Sequence, residues 1–282
     1  MQSPYIRRRL FVPARRRSPI DEVVSIANEI ELVRWFGTPS DNTAVSFFTA
    51  ANFLAYGDNL RVVRSADVSV AKNATSGNNA AIIKNRDDWD INWDVFNTND
   101  PKYGMFAARW AGTLGNEIRV CCFAEAGVDT SNTHWTTWEQ AAQFNGPPGT
   151  SKYVSDRGGA NDEMHIIVLD TQGTFTGGIA NSVLEKYSNV SKAVDAKNDD
   201  GSSNYWVNVL ADRSAYLWPI NNAISNTTLP AVQTSNWGNT ASAVSFSQSN
   251  ASFNFTLSRG VLAAPTDGSL QNSYVKLNEA FD

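Results

Sequence analysis

The sequence predicts an α+β fold, with a small helix-helix-strand unit beside a mixed, mostly antiparallel β domain. Three observations carry that prediction. From Asn28 to Asp67, signals for two helices and a following strand succeed one another without a gap. Beyond residue 82, the apolar runs are mostly short, rich in β-branched or aromatic residues and separated by Gly, Asn and Asp turns. At 282 residues, 42% apolar and 18% charged, the chain is long enough to bury a sizeable core.

Residues 1–19 read as a mobile basic arm, disordered or atypical. They hold Arg7 to Arg9, Arg15 to Arg17, three prolines and no acid. With six of the 23 basic residues there, the remainder carries 17 basic against 28 acidic groups, a net of −11 within the overall −5. A basic tip on an acidic body does not match a nucleic-acid-binding domain, which places its basic stripe on the folded surface. Neither nucleic acid nor a membrane is an expected partner. No apolar run approaches the roughly 18 residues of a membrane span, and the start lacks the apolar stretch of a secretory signal.

Residues 20–72 form the predicted α/β packing unit. Asp21 to Ala27 reads as a strand. Asn28 suits an N-cap, Glu29 and Glu31 the positive end of a helix dipole, and Gly37 a left-handed stop, so the spacing predicts a helix over 29–36. Pro39 cannot continue it. Ser40 and Asp41 then offer a second cap, and Ala44, Phe47, Phe48, Ala51 and Ala55 recur at helical spacing, predicting one buried aromatic face before Gly57. Leu60 to Ala66 is β-branched and apolar, hence a strand.

Residues 73–257 form the predicted, mostly β outer domain. Lys72 to Ala81 is polar and turn-rich and reads as a link. Asp87, Asp88, Asp90 and Asp94 alternate with Trp89, Ile91 and Trp93, which predicts a half-buried strand; a calcium loop would need a Gly and a closing Glu that this run lacks. Tyr103, Phe106, Ala107 and Trp110 follow helical spacing, Gly112 and Gly115 flank a turn, and Glu117 to Phe123 is strand-like. Residues 128–162 are polar, aromatic and irregular, as in a long surface excursion. Glu163 to Leu169 is a buried strand, followed by a turn at Asp170 to Gly173 into Thr174 to Thr176. Tyr205 to Leu210 reads as a strand after the turn Asn198 to Gly201. Residues 225–252 read as loop with strand fragments, and Phe253 to Leu257 as a final strand. Residues 258–282 read as a turn followed by a helix opening at Leu277 to Phe281.

Little in this chain points to chemistry. His134 and His165 cannot build a multi-His metal site, and His165, inside an apolar strand, reads as a satisfied core histidine. Cys121 and Cys122 are neighbours in a strand, pointing to opposite faces, and read as reduced packing residues. The five Asn-x-Ser/Thr sequences, from Asn73 to Asn254, reflect an Asn/Ser/Thr-rich composition. No catalytic, cofactor-binding or metal-ligating residue is assigned, and no cofactor is expected. An enzyme would need a deep pocket lined by paired carboxylates or by His165 with a partner. Trp135 and Trp138 raise one alternative, a sugar-stacking platform on a host-surface or carbohydrate-binding β module.

Three blocks resemble one family. Asn28, Glu29, Leu32, Phe36 and Gly37, then Pro39, then Asn52 to Gly57 and Leu60 to Arg64, stand in an order similar to the N-terminal portion of contractile tail sheath proteins of myophages. Ala111 to Val120 resembles a Gly-flanked block of that family, with Ala111 where Pro is usual. The run Val183 to Ala196 followed by Tyr205 to Leu210 is a looser third match. Ser258 to Val261 resembles a family turn that usually has two glycines, so Arg259 is a departure, and the basic arm departs from the family's weakly charged one. The resemblance implies a virion protein, not an enzyme, whose copies stack in hexameric rings around the tail tube protein, with baseplate and tail terminator proteins as further partners. It implies assembly in the host cytoplasm, then contraction that drives the tube into the host without nucleotide hydrolysis. The resemblance implies that residues 258–282 are the start of a truncated C-terminal domain, and the expectation is that this chain alone does not assemble a working sheath.

Overall fold

The computed structural model describes residues 17–39, 43–96, 102–220, 236–248 and 252–279. The basic arm's first 16 residues and the proposed caps Ser40 and Asp41 lie outside them. Strand β1 (Val23–Ile26) leads into α1 (Glu29–Phe36), α2 (Ala44–Leu54) and β2 (Leu60–Val63), and β1 and β2 pair antiparallel. In α1 the local signals act as the sequence predicts. The Asn28 Oδ1 accepts from the Glu31 N–H at 2.9 Å, the Glu31 carboxylate accepts from the Ala27 N–H, and Gly37 stops the helix at φ 75°. Val24, Ile26, Leu32, Phe36, Phe47, Ala50 and Val62 close a small core. The buried face of α2 runs through Phe47 and Ala50, while Phe48, predicted to join it, is 54% exposed.

Strand β3 (Asn73–Thr75) replaces the predicted polar link. Its Asn73 is polar yet buried because its side chain is fully matched: it donates to the carbonyls of Ile83 and Ala108 and accepts from the Ile83 N–H. Helix α3 (Arg86–Phe96) replaces the predicted strand over 87–94. The alternating Asp and aromatic residues satisfy both periods, but Trp89, Trp93 and Phe96 stand at i, i+4 and i+7 and face inward. Asn85 Oδ1 accepts from the Asp88 N–H, and Arg86 pairs with Asp90 one turn on. The opposite correction applies to β4 (Phe106–Ala111), predicted as helical from Tyr103, Phe106, Ala107 and Trp110. It lies between β3 and a later strand over Leu217–Pro219 and is buried on both sides, so it lacks the period-two signature that marks a half-exposed strand.

A 3₁₀ turn over Thr113–Glu117 leads to β5 (Ile118–Phe123). Gly115 is needed there because a Cβ would run into those of Ala108 and Ala74. After the short helices α4 (Thr133–Thr137) and α5 (Lys152–Ser155) come β6 (Glu163–Asp170) and β7 (Ser182–Ser191). Thr174 to Thr176 do not form a strand; their N–H groups converge on the Asp170 carboxylate, which shapes the connection. Helix α6 (Trp206–Arg213) replaces the predicted strand over 205–210. Its exposed positions Asn208, Asp212 and Arg213 recur at helical spacing, and the last two lie beyond the apolar run that suggested a strand. β8 (Leu217–Pro219), β9 (Phe253–Thr256) and α7 (Asp267–Glu279) complete the described chain. α7 begins ten residues before the predicted helix opening. A reciprocal Thr266 and Ser269 cap starts it, and Ser273 bonds Asp21.

The sheets are β1-β2, β3-β4-β8 and β7-β6-β5-β9, and every strand pair is antiparallel. The four-stranded sheet is covered on both faces. Val120, Cys122, Ile166 and Val168 face the main core with Trp206 and Trp218. Cys121, Phe123, Ile167 and Leu169 face a second cluster built by Trp135 and Trp138 of the excursion. This explains the unbroken apolar run of β6.

Candidate functional site

The residues that sequence reading singled out for chemistry turn out to serve packing. His165 is buried, donates from Nε2 to the Gly146 carbonyl at 2.9 Å and accepts at Nδ1 from the Asn189 N–H at 3.1 Å. Its ring stacks on Phe144, and burial pushes its pKa down to about 4. It borders an open cavity of about 360 Å³ with Lys186, Ser188 and Asn189, but both ring nitrogens are already engaged by the main chain. Both cysteines are free thiols and buried, and burial raises both pKa values, Cys121 to about 11. Trp135 and Trp138 are 6% and 3% exposed and pack on Phe123, so they offer no sugar-stacking platform. Asp88, Asp90 and Asp94 lie along α3, where Asp88 accepts from the Lys84 N–H and Asp90 pairs with Arg86. Lys192 is fully buried and ties the carbonyls of Ala124 and Asn161 together, each at 2.9 Å; burial lowers its pKa to about 7.

What the structure does bring together was not foreseen. A cleft of about 280 Å³ opens between the helical unit and the β body. Arg17 and Glu22 border it from the segment around β1, Arg34 and Trp35 from α1, Arg86 from α3, Arg109 and Trp110 from β4, and Trp218 from β8. The Arg109 guanidinium lies 3.4 Å from the centre of the Trp218 ring and donates to the Ala211 carbonyl at 3.0 Å. Burial, with Arg86 nearby, lowers its pKa to about 10. Arg86 is neutralised by Asp90 at 3.0 Å and Asp212 at 2.7 Å. Arg17 stacks over Phe175 and Tyr216. These five stretches are far apart in sequence, and no local pattern could have revealed the cluster.

A second exposed feature is apolar. Val45 (80% exposed), Phe48 and Tyr56 (95%) fall, with Asn52, along the outer side of α2 and its end. Ile30 of α1 is exposed as well. Apolar residues so exposed on a helix whose inner face is already packed are available to another surface. Among the described residues no helix is long and apolar enough to cross a membrane.

No protein-family model matches this chain. Among curated proteins, the tail sheath protein of Salmonella phage ViI is 30% identical over 155 residues, 55% of this chain and 21% of that protein. The tail sheath protein of Vibrio phage KVP40 is 48% identical over 62 residues, 22% of this chain and 9% of that one. That of Enterobacteria phage T4 is 46% identical over 57 residues, 20% and 9% respectively. The chain thus spans about a fifth of the length of the first of these relatives, and less of the other two. Among solved structures, a sheath tail protein from Listeria innocua aligns with 94% of this chain and 36% of its own, at 13% identity and a TM-score of 0.38, too distant to support an argument. Over the residues it shares with them, this chain is related by sequence to the tail sheath proteins of bacteriophages, the family that its own motifs resemble.

Proposed function

We propose that this chain is a structural virion protein, a subunit of a phage contractile tail sheath or a portion of one. The observation that carries the reading is the 48% identity over 62 residues to a named tail sheath protein. In this reading the chain surrounds the tail tube together with copies of itself in hexameric rings, meets baseplate and terminator proteins at the ends, and shortens during genome delivery. It assembles in the host cytoplasm and works in the virion tail. The work comes from two packings of rigid subunits with different interface energies, not from a chemical step. The packing roles of His165, Cys121 and Cys122 agree with a protein that is not an enzyme. We also propose the 20–72 unit as a packing module beside a 73–257 body, because the helical unit has an apolar cluster of its own.

The test is quantitative mass spectrometry of purified virions of the source phage, with immunogold labelling against this chain. The expected result is many copies per particle, with gold distributed along the tail. Absence from virions, or label confined to the tail tip, would overturn the proposal.

A further inference from the structure

We propose that the arginine-lined cleft between α1 and the β body is a docking site for carboxylate side chains of a second copy of this chain. Four guanidiniums and one carboxylate, Glu22, line the cleft, and a second carboxylate, Glu185, lies just behind it, accepting from the Ser214 hydroxyl and the Ala215 N–H. Arg86 has its own partners in Asp90 and Asp212. Among the described residues, no carboxylate lies within ion-pair distance of Arg17, Arg34 or Arg109. Arg109 is half-buried, held flat against Trp218 and anchored to the Ala211 carbonyl, so its fork is fixed before any partner arrives. Like charges held beside aromatic walls repel one another, and an entering carboxylate relieves that repulsion and offsets the lost hydration with charge-assisted hydrogen bonds. The space, about 280 Å³, suits one or two carboxylate side chains rather than a folded element.

The chemistry of the chain itself names the occupant. Outside the first 19 residues it carries 17 basic against 28 acidic groups, and Asp58, Asp94 and Asp199 stand exposed on its surface. Such a body repels a polyanion such as nucleic acid but complements a cationic cleft on another copy. The inference rests on the sheath reading only for the expectation that copies meet.

Sedimentation velocity of the purified chain over a concentration series, at low and high ionic strength, tests it. Arg34 is the residue to change, because it is exposed and its loss leaves the core untouched. The wild type should self-associate and do so less in high salt. Arg34→Gln should weaken association by about tenfold and Arg34→Glu by more, while Arg34→Lys retains most of it. The thermal unfolding midpoint should stay close to the wild-type value throughout. Added succinate should dissociate the complex. A wild type that stays monomeric, association indifferent to salt and to Arg34→Glu, or succinate bound by a monomer that never associates would each overturn the proposal; the last would leave a small-anion site only. A chain that pairs through the cleft but is absent from virion tails would remove the sheath reading and leave this inference standing.

Discussion

At His165 the fold holds a neutral imidazole between a carbonyl acceptor and an N–H donor, and this sets a pH dependence. The folded pKa is about 4 against an ordinary 6.5, so between those values the unfolded chain takes up a proton that the folded chain refuses. The stability this site contributes is therefore complete above about pH 6.5 and lost as pH falls towards 4, on the order of 3 kcal/mol in all. Urea titrations across that range should show this loss, and His165→Gln should remove it. Asn73 offers a second test. Its amide serves Ile83 twice and Ala108 once, so Asn73→Ala leaves buried main-chain groups without partners and should cost about 2–4 kcal/mol in the same measurement. The identity of His165 as a satisfied core residue was legible in the apolar run around it. Asn73 was not, because polarity in a sequence does not say whether a polar group has found its partners. Arg259, the departure from a glycine turn, adopts φ 65°, the left-handed conformation that glycine reaches without strain.

Elements were legible where their signals are local. Every feature that predicts α1, from the Asn28 cap to the Gly37 stop, acts within a few residues, and the structure places the helix at those bounds. Elements decided by tertiary burial were misread. α3 and α6 lie in runs that fit both a strand and a helix when read over six or eight residues, and β4, buried on both sides, has no periodicity to read. The link between β4 and β5 gives the clearest test at this scale. Gly115→Ala forces a methyl group against the Cβ atoms of Ala108 and Ala74, which can give way only if their own strands shift, and should destabilise by about 1–3 kcal/mol. Thermal unfolding of the variant measures this; an unchanged midpoint would mean that the turn relaxes freely.

For the molecule as a whole, the exposed stripe on α2 separates stability from assembly. Val45→Ser and Tyr56→Ser touch residues outside the packed core, so the isolated chain should keep its stability within about 0.5 kcal/mol. In a phage carrying either change, incorporation of the chain into tails should fall, read by the same virion mass spectrometry. The cleft was invisible in the sequence because it exists only once separate segments have folded together; the stripe is local to α2, but which apolar face of that helix turns inward is decided by packing. The four-stranded sheet holds a further opportunity. Cys121 and Cys122, the chain's two cysteines, look into different layers, the tryptophan-capped excursion and the main core. Burial keeps both thiols protonated and unreactive, so each reacts with an alkylating reagent only when its own layer opens. Their two alkylation rates are adjacent clocks on one strand. Peptide mapping of labelled protein should show Cys121 modified first, and if copies brace one another in the tail, the interval between the two clocks records which layer they brace.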